Sequence, residues 1–346
     1  MPDCSEGRSP LAGDSVHCNR PLAGSYLSLQ SLNATSTKST GATTRRVHLE
    51  PAQKRQLALI TLGALALYVG VRLLPIGTNL RHGDFRVTGA NAIEMCDPAR
   101  PAFIPVVNVR SPVDLKLTPA LPPAIGRPTR FTLNMSTISG KPVGPRDLAV
   151  SHTELLHLLV VDPSLGDYQH IHPVPGREYG TWEFEITPRR AGLYRVFADF
   201  VPVATGLGLY AHADFSVPGE AAAAVEPSRT SVVDGYNYEF VLRSGAVRAR
   251  ETAELDLRIT RATPGGAVPL ERVMGAFAHV VAFDPGRNGF AHLHPLAADP
   301  LAPPDATAPV LAFRVTIPNP GRYIVWAQVR MEGRDRFAPF QLEVSP

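Results

Sequence analysis

Six histidines stand out because they form two copies of one pattern. His157, His170 and His172 recur as His279, His292 and His294, every pair separated by 122 positions. Asp162, Pro163 and Pro173 recur at the same interval as Asp284, Pro285 and Pro295. Neutral imidazoles are ligands for zinc, copper or nickel. Each offers one ring nitrogen at about 2.0–2.1 Å while an outer acceptor holds the other ring N–H. Residues i and i+2 of a strand share a face, so each His-x-His sets two imidazoles about 6–7 Å apart at the backbone. If the preceding strand (Leu155 to Asp162) pairs with it as an antiparallel hairpin, His157 joins the pair, and His279 does so in the second copy. A slip of one residue sends that histidine to the other face.

Further candidate ligands are His152, His212 and Met274. The first two belong to the first copy, and the matching positions in the second are Met274 and Pro339. A thioether beside three imidazoles favours copper over zinc. Met274 lies five residues from His279, however, so a regular strand would turn it away and a loop or bulge is needed. Asp162 and Asp284 are candidate outer acceptors for the imidazoles, or simply turn residues before proline. A zinc hydrolase would need a base near the metal. Glu154 is the nearest, yet its counterpart is Ala276, and neither H-E-x-x-H nor G-x-S-x-G occurs. The expectation is therefore a binding protein and not an enzyme. The competing readings are a scaffold role for the histidines in a structural or protein-interaction module, and a pH-sensitive contact.

The elements that must position these side chains read as strands. Phe131-Thr-Leu133-Asn-Met135, Trp182-Glu-Phe184-Glu-Ile186, Leu255-Asp-Leu257-Arg-Ile259 and Leu311-Ala-Phe313-Arg-Val315 alternate apolar with polar, the pattern of a strand buried on one face. Gly192-Leu-Tyr194 and Gly321-Arg-Tyr323 each place a tyrosine at the start of such a strand, where a tyrosine corner sits in immunoglobulin-like sandwiches. Val196 and Val325 then stand where antibody domains carry their second cysteine. The expected fold class is all-β: two tandem immunoglobulin-like (cupredoxin-like) β-sandwiches after a single N-terminal transmembrane helix. The expected boundaries are a disordered tail over 1–55, a membrane anchor over 56–76, a tether over 77–110, sandwiches over 111–218 and 229–346, and a linker over 219–228.

The anchor rests on the uncharged run from Leu57 to Val71, which extends past a snorkelling Arg72 to Ile76, roughly the ~20 residues that a bilayer needs. A signal peptide and a buried core helix are the alternatives. Either of the first two exports the C-terminal part, which places it in the periplasm or outside the membrane. The net charge of +3, with scattered arginines, argues against nucleic acid as a partner. The three cysteines, Cys4, Cys18 and Cys96, form no disulfide framework within the repeats.

The runs His157-Leu-Leu-Val-Val-Asp162-Pro163 with Tyr168-Gln-His170-Ile-His172-Pro173, and their second copies, resemble the YtkA-like exported β-sandwich proteins of bacteria. The resemblance covers roughly residues 110 to 346 and implies an exported sandwich associated with metal handling, with copper as a candidate. The membrane and an envelope protein are the expected partners. The Met-rich runs common in copper carriers are absent, with five Met in all. Copper or zinc is therefore the expected cofactor.

Overall fold

The computed structural model describes residues 49–73, 80–85, 102–243, 245–263, 265–296 and 302–346. Most of the expected tail, most of the tether and Cys96 lie outside these residues. The chain divides into two compact units, residues 1–74 and 75–346.

In the first unit a helix α1 runs from Pro51 to Leu73, starting five residues before the expected anchor. Proline is at home at its first position, where a backbone N–H would lack an intrahelical partner anyway. Every described side chain from Pro51 to Gly70 is exposed. Among the described residues no helix is long and apolar enough to cross a membrane. The remainder of the expected span, residues 74–76, lies outside the described ones.

The second unit holds both repeats, and its strands confirm an all-β chain. In the first sandwich, β1 (Val113–Pro119), β2 (Thr129–Thr137), β3 (Leu156–Val161), β4 (Tyr168–Ile171), β5 (Thr181–Ile186), β6 (Gly192–Pro202) and β7 (Leu209–Val217) form two antiparallel sheets. One sheet runs β1-β2-β5, and in the other β6 lies between β3 and β7 while β4 pairs with β3. The second sandwich repeats this plan with β8 (Thr230–Val233), β9 (Tyr236–Leu242), β10 (Thr252–Arg261), β11 (His279–Phe283), β12 (Phe290–Leu293), β13 (Val310–Thr316), β14 (Gly321–Met331) and β15 (Arg334–Ser345). Its sheets run β8-β9-β10-β13 and β15-β14-β11-β12. Both tyrosine corners are present. The Tyr323 hydroxyl donates to the Asn319 carbonyl at 3.1 Å, and that of Tyr194 lies 3.1 Å from the Arg190 carbonyl while donating to buried Asp167 at 2.6 Å.

Burial separates the sheets into outer and inner ones. β2 and β5 alternate buried with exposed or partly exposed positions, as a strand with one wet face must, whereas β3 and β11 are buried at every position. Each sandwich has its own core, and a third cluster joins them: Leu159, Val161, Tyr168 and Phe197 meet Val281, Phe283, Phe290 and Trp326. The two inner sheets therefore pack face to face. Burying one large apolar side chain contributes about 1.5–3 kcal/mol, so this cluster fixes the repeats against each other.

Two segments expected to be loose are also tied down. Ahead of β1, Phe103 N–H donates to the Thr316 carbonyl, Ile104 exchanges both backbone bonds with Phe290, and Val107 N–H donates to Asn288 O, all in the second sandwich. A Cβ at Gly289 would lie 1.8 Å from the Ile104 carbonyl oxygen, so only glycine admits this strap. Leu80 and Phe85, also within the expected tether, are buried in the core of the first sandwich. The linker docks as well, with Val225 N–H donating to Ser164 O and Ala221 bridged to Ala191.

Candidate metal centre

The hairpin register puts the histidines where the sequence spacing requires. Leu159 pairs with His170 and Val281 with His292, so the side chains two residues further along the hairpins, His157 with His172 and His279 with His294, share those faces. The candidate ligand nitrogens of each triad lie within 4.8 Å of one another. His157 Nδ1 is 3.3 Å from His170 Nε2, His279 Nδ1 is 3.1 Å from His292 Nε2, and His294 Nε2 is 3.1 Å from His279 Nδ1. His172 Nε2 is buried with no hydrogen-bond partner.

The outer hydrogen bonds fix where the ring protons sit. His157 Nε2–H donates to the Ser151 carbonyl at 2.9 Å and His279 Nε2–H to the Val273 carbonyl at 3.0 Å. A carbonyl can only accept, so Nδ1 of both rings is left with a lone pair. His170 Nδ1–H donates to Gln328 Oε1 at 2.8 Å, and the amide is oriented by its own N–H bond to Asp335 at 3.0 Å. His292 Nδ1–H donates to Asp199 Oδ2 at 3.3 Å. Nε2 of both these rings is therefore a lone pair as well. In each triad two unprotonated nitrogens face each other with no hydrogen to share, an arrangement that a cation between them would satisfy. A tetrahedral ion with bonds of about 2.0–2.1 Å holds neighbouring ligand nitrogens about 3.3–3.4 Å apart, close to the spacings found.

A proton is disfavoured as that cation. Burial, followed by the neighbouring imidazoles, holds His170, His279 and His292 well below the ordinary histidine value, and burial pushes His294 down to about 3. Desolvation lowers His152, His157 and His172 too, with Asp199 pulling His152 and His157 the other way and Asp335 opposing the shift at His172. Burial raises Asp199, against the pull of His157 and His152. At neutral pH these rings present lone pairs.

The two triads meet across the sandwich interface. Ring centroids of His170 and His292 are 5.7 Å apart, those of His170 and His279 6.0 Å, and those of His157 and His292 6.3 Å. The contacts are reciprocal, as in an isologous dimer. Each middle histidine, His170 or His292, bonds to the long inner strand of the other repeat, at Gln328 or Asp199. Those two positions are equivalent at the offset of 129 that also relates Tyr194 to Tyr323. Likewise Arg195 donates to the Arg287 carbonyl at 2.8 Å, and Trp326 Nε1–H to the Leu165 carbonyl at 3.1 Å, where 165 and 287 are equivalents.

The remaining candidates fall differently. His152 does not complete its own triad but packs against His294 of the other, with ring centroids 3.9 Å apart and the planes tilted by 43°. It and Met274 occupy equivalent two-residue turns, one in each repeat, both with positive φ (50° and 51°), so the departure from regular strand that Met274 needs is present. His212 lies opposite Phe197 on β7, where its charged neighbours are Arg195 and Asp214; among the described residues it joins neither triad. Asp162 and Asp284 are not outer acceptors. Asp162 accepts from the N–H groups of Ser164, Gly166 and Asp167, and Asp284 from those of Gly286, Asn288 and Gly289, so each pins its own turn. The acceptors that the sequence reading missed are Ser151 O, Val273 O, Gln328 and Asp199. The last two had a signal: each is a lone polar residue in an apolar stretch of an inner strand, Val196 to Val201 and Ile324 to Val329, at matching positions of the repeats.

A family described as a domain of unknown function (DUF8832) matches residues 109–217 and 231–346, one copy per sandwich. No curated protein matches the chain. Among solved structures it is similar to Salmonella alpha-2-macroglobulin reacted with methylamine, at 14% identity over 68% of this chain and 16% of that one, with a TM-score of 0.22. A chimeric titin Z1Z2 tandem is 14% identical over 68% of this chain and all of that one, with a TM-score of 0.18. The ICAM-5 ectodomain fragment is 13% identical over 67% and 53%, at 0.21. The chain thus spans under a fifth of the macroglobulin and about half of the ICAM-5 fragment, and likenesses this slight carry nothing about function.

Proposed function

The chain belongs to the DUF8832 family in both of its sandwiches, and from the centre they share we propose that it is a membrane-anchored, exported binding protein for copper or zinc. His157, His170 and His172 hold one ion, and His279, His292 and His294 a second. The observation that carries this reading is the pair of unprotonated imidazole nitrogens at 3.3 Å in one triad and at 3.1 Å in the other, each fixed by an outer hydrogen bond. Lone pairs opposed at that distance repel unless a cation lies between them. A scaffold role leaves the opposed lone pairs unexplained.

In this reading Ser151 O, Val273 O, Gln328 and Asp199 hold the ring protons outward and keep the inner nitrogens free, and the apolar inner sheets exclude water from one side of the centre. Export rests on the apolar sequence from Leu57 to Ile76, whose last residues lie outside the described ones, and the large side chains from Leu57 to Val69 are all exposed. Flotation of the full chain with liposomes, lost on deletion of residues 1–76, tests the anchor separately from the metal.

Elemental analysis tests the metal. Full-length protein equilibrated with limiting copper and zinc and then desalted retains about one ion per triad. A folded His170→Ala/His172→Ala/His292→Ala/His294→Ala variant retains none. A folded wild-type protein that retains no metal would overturn the reading.

A further inference from the structure

The reciprocal interface bears on which ion each triad takes. Three imidazoles leave a fourth position open, and the structure brings a side chain of the other repeat toward one of the triads: His152 packs against His294 with centroids 3.9 Å apart and ring planes tilted by 43°, and lies 6.0–6.2 Å from His279 and His292. Its own triad is no nearer, with His157 at 6.0 Å. His152 stands in a turn whose equivalent holds Met274. The two turns share positive φ at both central residues, 50° and 72° for His152 and Thr153, 51° and 82° for Met274 and Gly275. They share the bridging pairs Ser151 with Glu154 and Val273 with Ala276, and each supplies the carbonyl that holds its repeat's first histidine. The turns also face each other, since a Cβ at Gly275 would lie 3.9 Å from the Thr153 methyl. The operation that carries His152 to His294 carries Met274 toward His172, whose Nε2 is buried and unpartnered.

Resting on the metal reading above, we infer that each triad takes its fourth ligand from the opposite sandwich, giving an all-imidazole site at His279, His292, His294 and His152, and a mixed site at His157, His170, His172 and Met274. A thioether is a soft ligand, so the mixed site selects a soft monovalent ion such as cuprous copper, and the all-imidazole site selects zinc or cupric copper. The pair is then two unlike sites in one centre, with the fourth ligand changed by one divergent turn residue.

The test uses full-length protein in a Cys4→Ser/Cys18→Ser/Cys96→Ser background, so that no thiolate competes, with silver(I) and zinc(II) as probes. The expected result is one tight silver site whose X-ray absorption shows a sulfur neighbour, and one tight zinc site with nitrogen neighbours only. Met274→Leu, nearly isosteric, loses the sulfur signal and weakens silver by at least about tenfold while zinc is unchanged. Met274→His makes both sites prefer zinc, and His152→Leu weakens zinc alone. Silver binding without sulfur, or a sulfur signal that survives Met274→Leu, overturns the crossed ligation while leaving the metal reading intact. Failure of the parent protein to hold either ion overturns both.

Discussion

The two triads are built on one skeleton and differ in what surrounds it. Backbone carbonyls hold the first histidine of each in the same way, through Ser151 and Val273. The middle histidine bonds to an amide in one case and a carboxylate in the other, Gln328 for His170 and Asp199 for His292. The parts that fix ring position have been kept between copies, and the parts that tune charge have diverged. A carboxylate behind an imidazole makes it a stronger donor and offsets the charge of a cation, so the second triad is the better site for a divalent ion.

Metal removal breaks the comparison most severely. At an ion concentration of 100 to 1,000 times Kd, each occupied triad adds about 2.7–4.1 kcal/mol to folding stability. Chelation is therefore expected to lower Tm sharply in wild type and by about half as much in a His157→Ala/His170→Ala/His172→Ala variant, checked by calorimetry. Acidification comes next. Burial holds these imidazoles below the ordinary value of 6.5, so as pH falls the unfolded chain takes up protons before the folded one does. Stability of the metal-free protein is thus complete above about pH 6.5 and drains away toward about pH 3, where His294 protonates in the fold. Urea titrations at stepped pH follow it, and a flat profile would contradict the buried neutral rings.

Exchanging the outer partners sharpens the contrast at smaller cost. Asp199→Asn is expected to lower zinc affinity at the second triad by about 10- to 100-fold and less at the first, whose His157 feels the same charge without bonding to it, and Gln328→Glu to strengthen the first. Competition against a chromophoric chelator reads both. The smallest effect concerns the turns. Thr153 is β-branched with a φ of 72°, where the second repeat has Gly275, so Thr153→Gly is expected to add about 1 kcal/mol of stability without changing metal content.

Much of this was legible in the chain. The fixed spacing of 122 exposed the triads, and the alternation around Phe131, Trp182, Leu255 and Leu311 marked the outer sheets. What spacing could not supply was the contact between repeats, because no local period encodes which face meets which. A sign was nevertheless present. The runs from Leu158 to Val161 and from Val280 to Phe283 are apolar at every position, which in a strand means burial on both faces, and a two-layer sandwich buries only one. His152 was assigned to its own repeat because sequence proximity favours it, and the interface places it on the other.

The strap ahead of β1 has a consequence for biosynthesis. Ile104 leaves the ribosome long before its partner Phe290, 186 positions later, so the clasp closes only when much of the second sandwich has been made. Until then the second histidine face has not been made and the first has no partner to pack on. A chain that stops short of Phe290 lacks His292 and His294, so the paired histidine faces form only in molecules that carry both sandwiches.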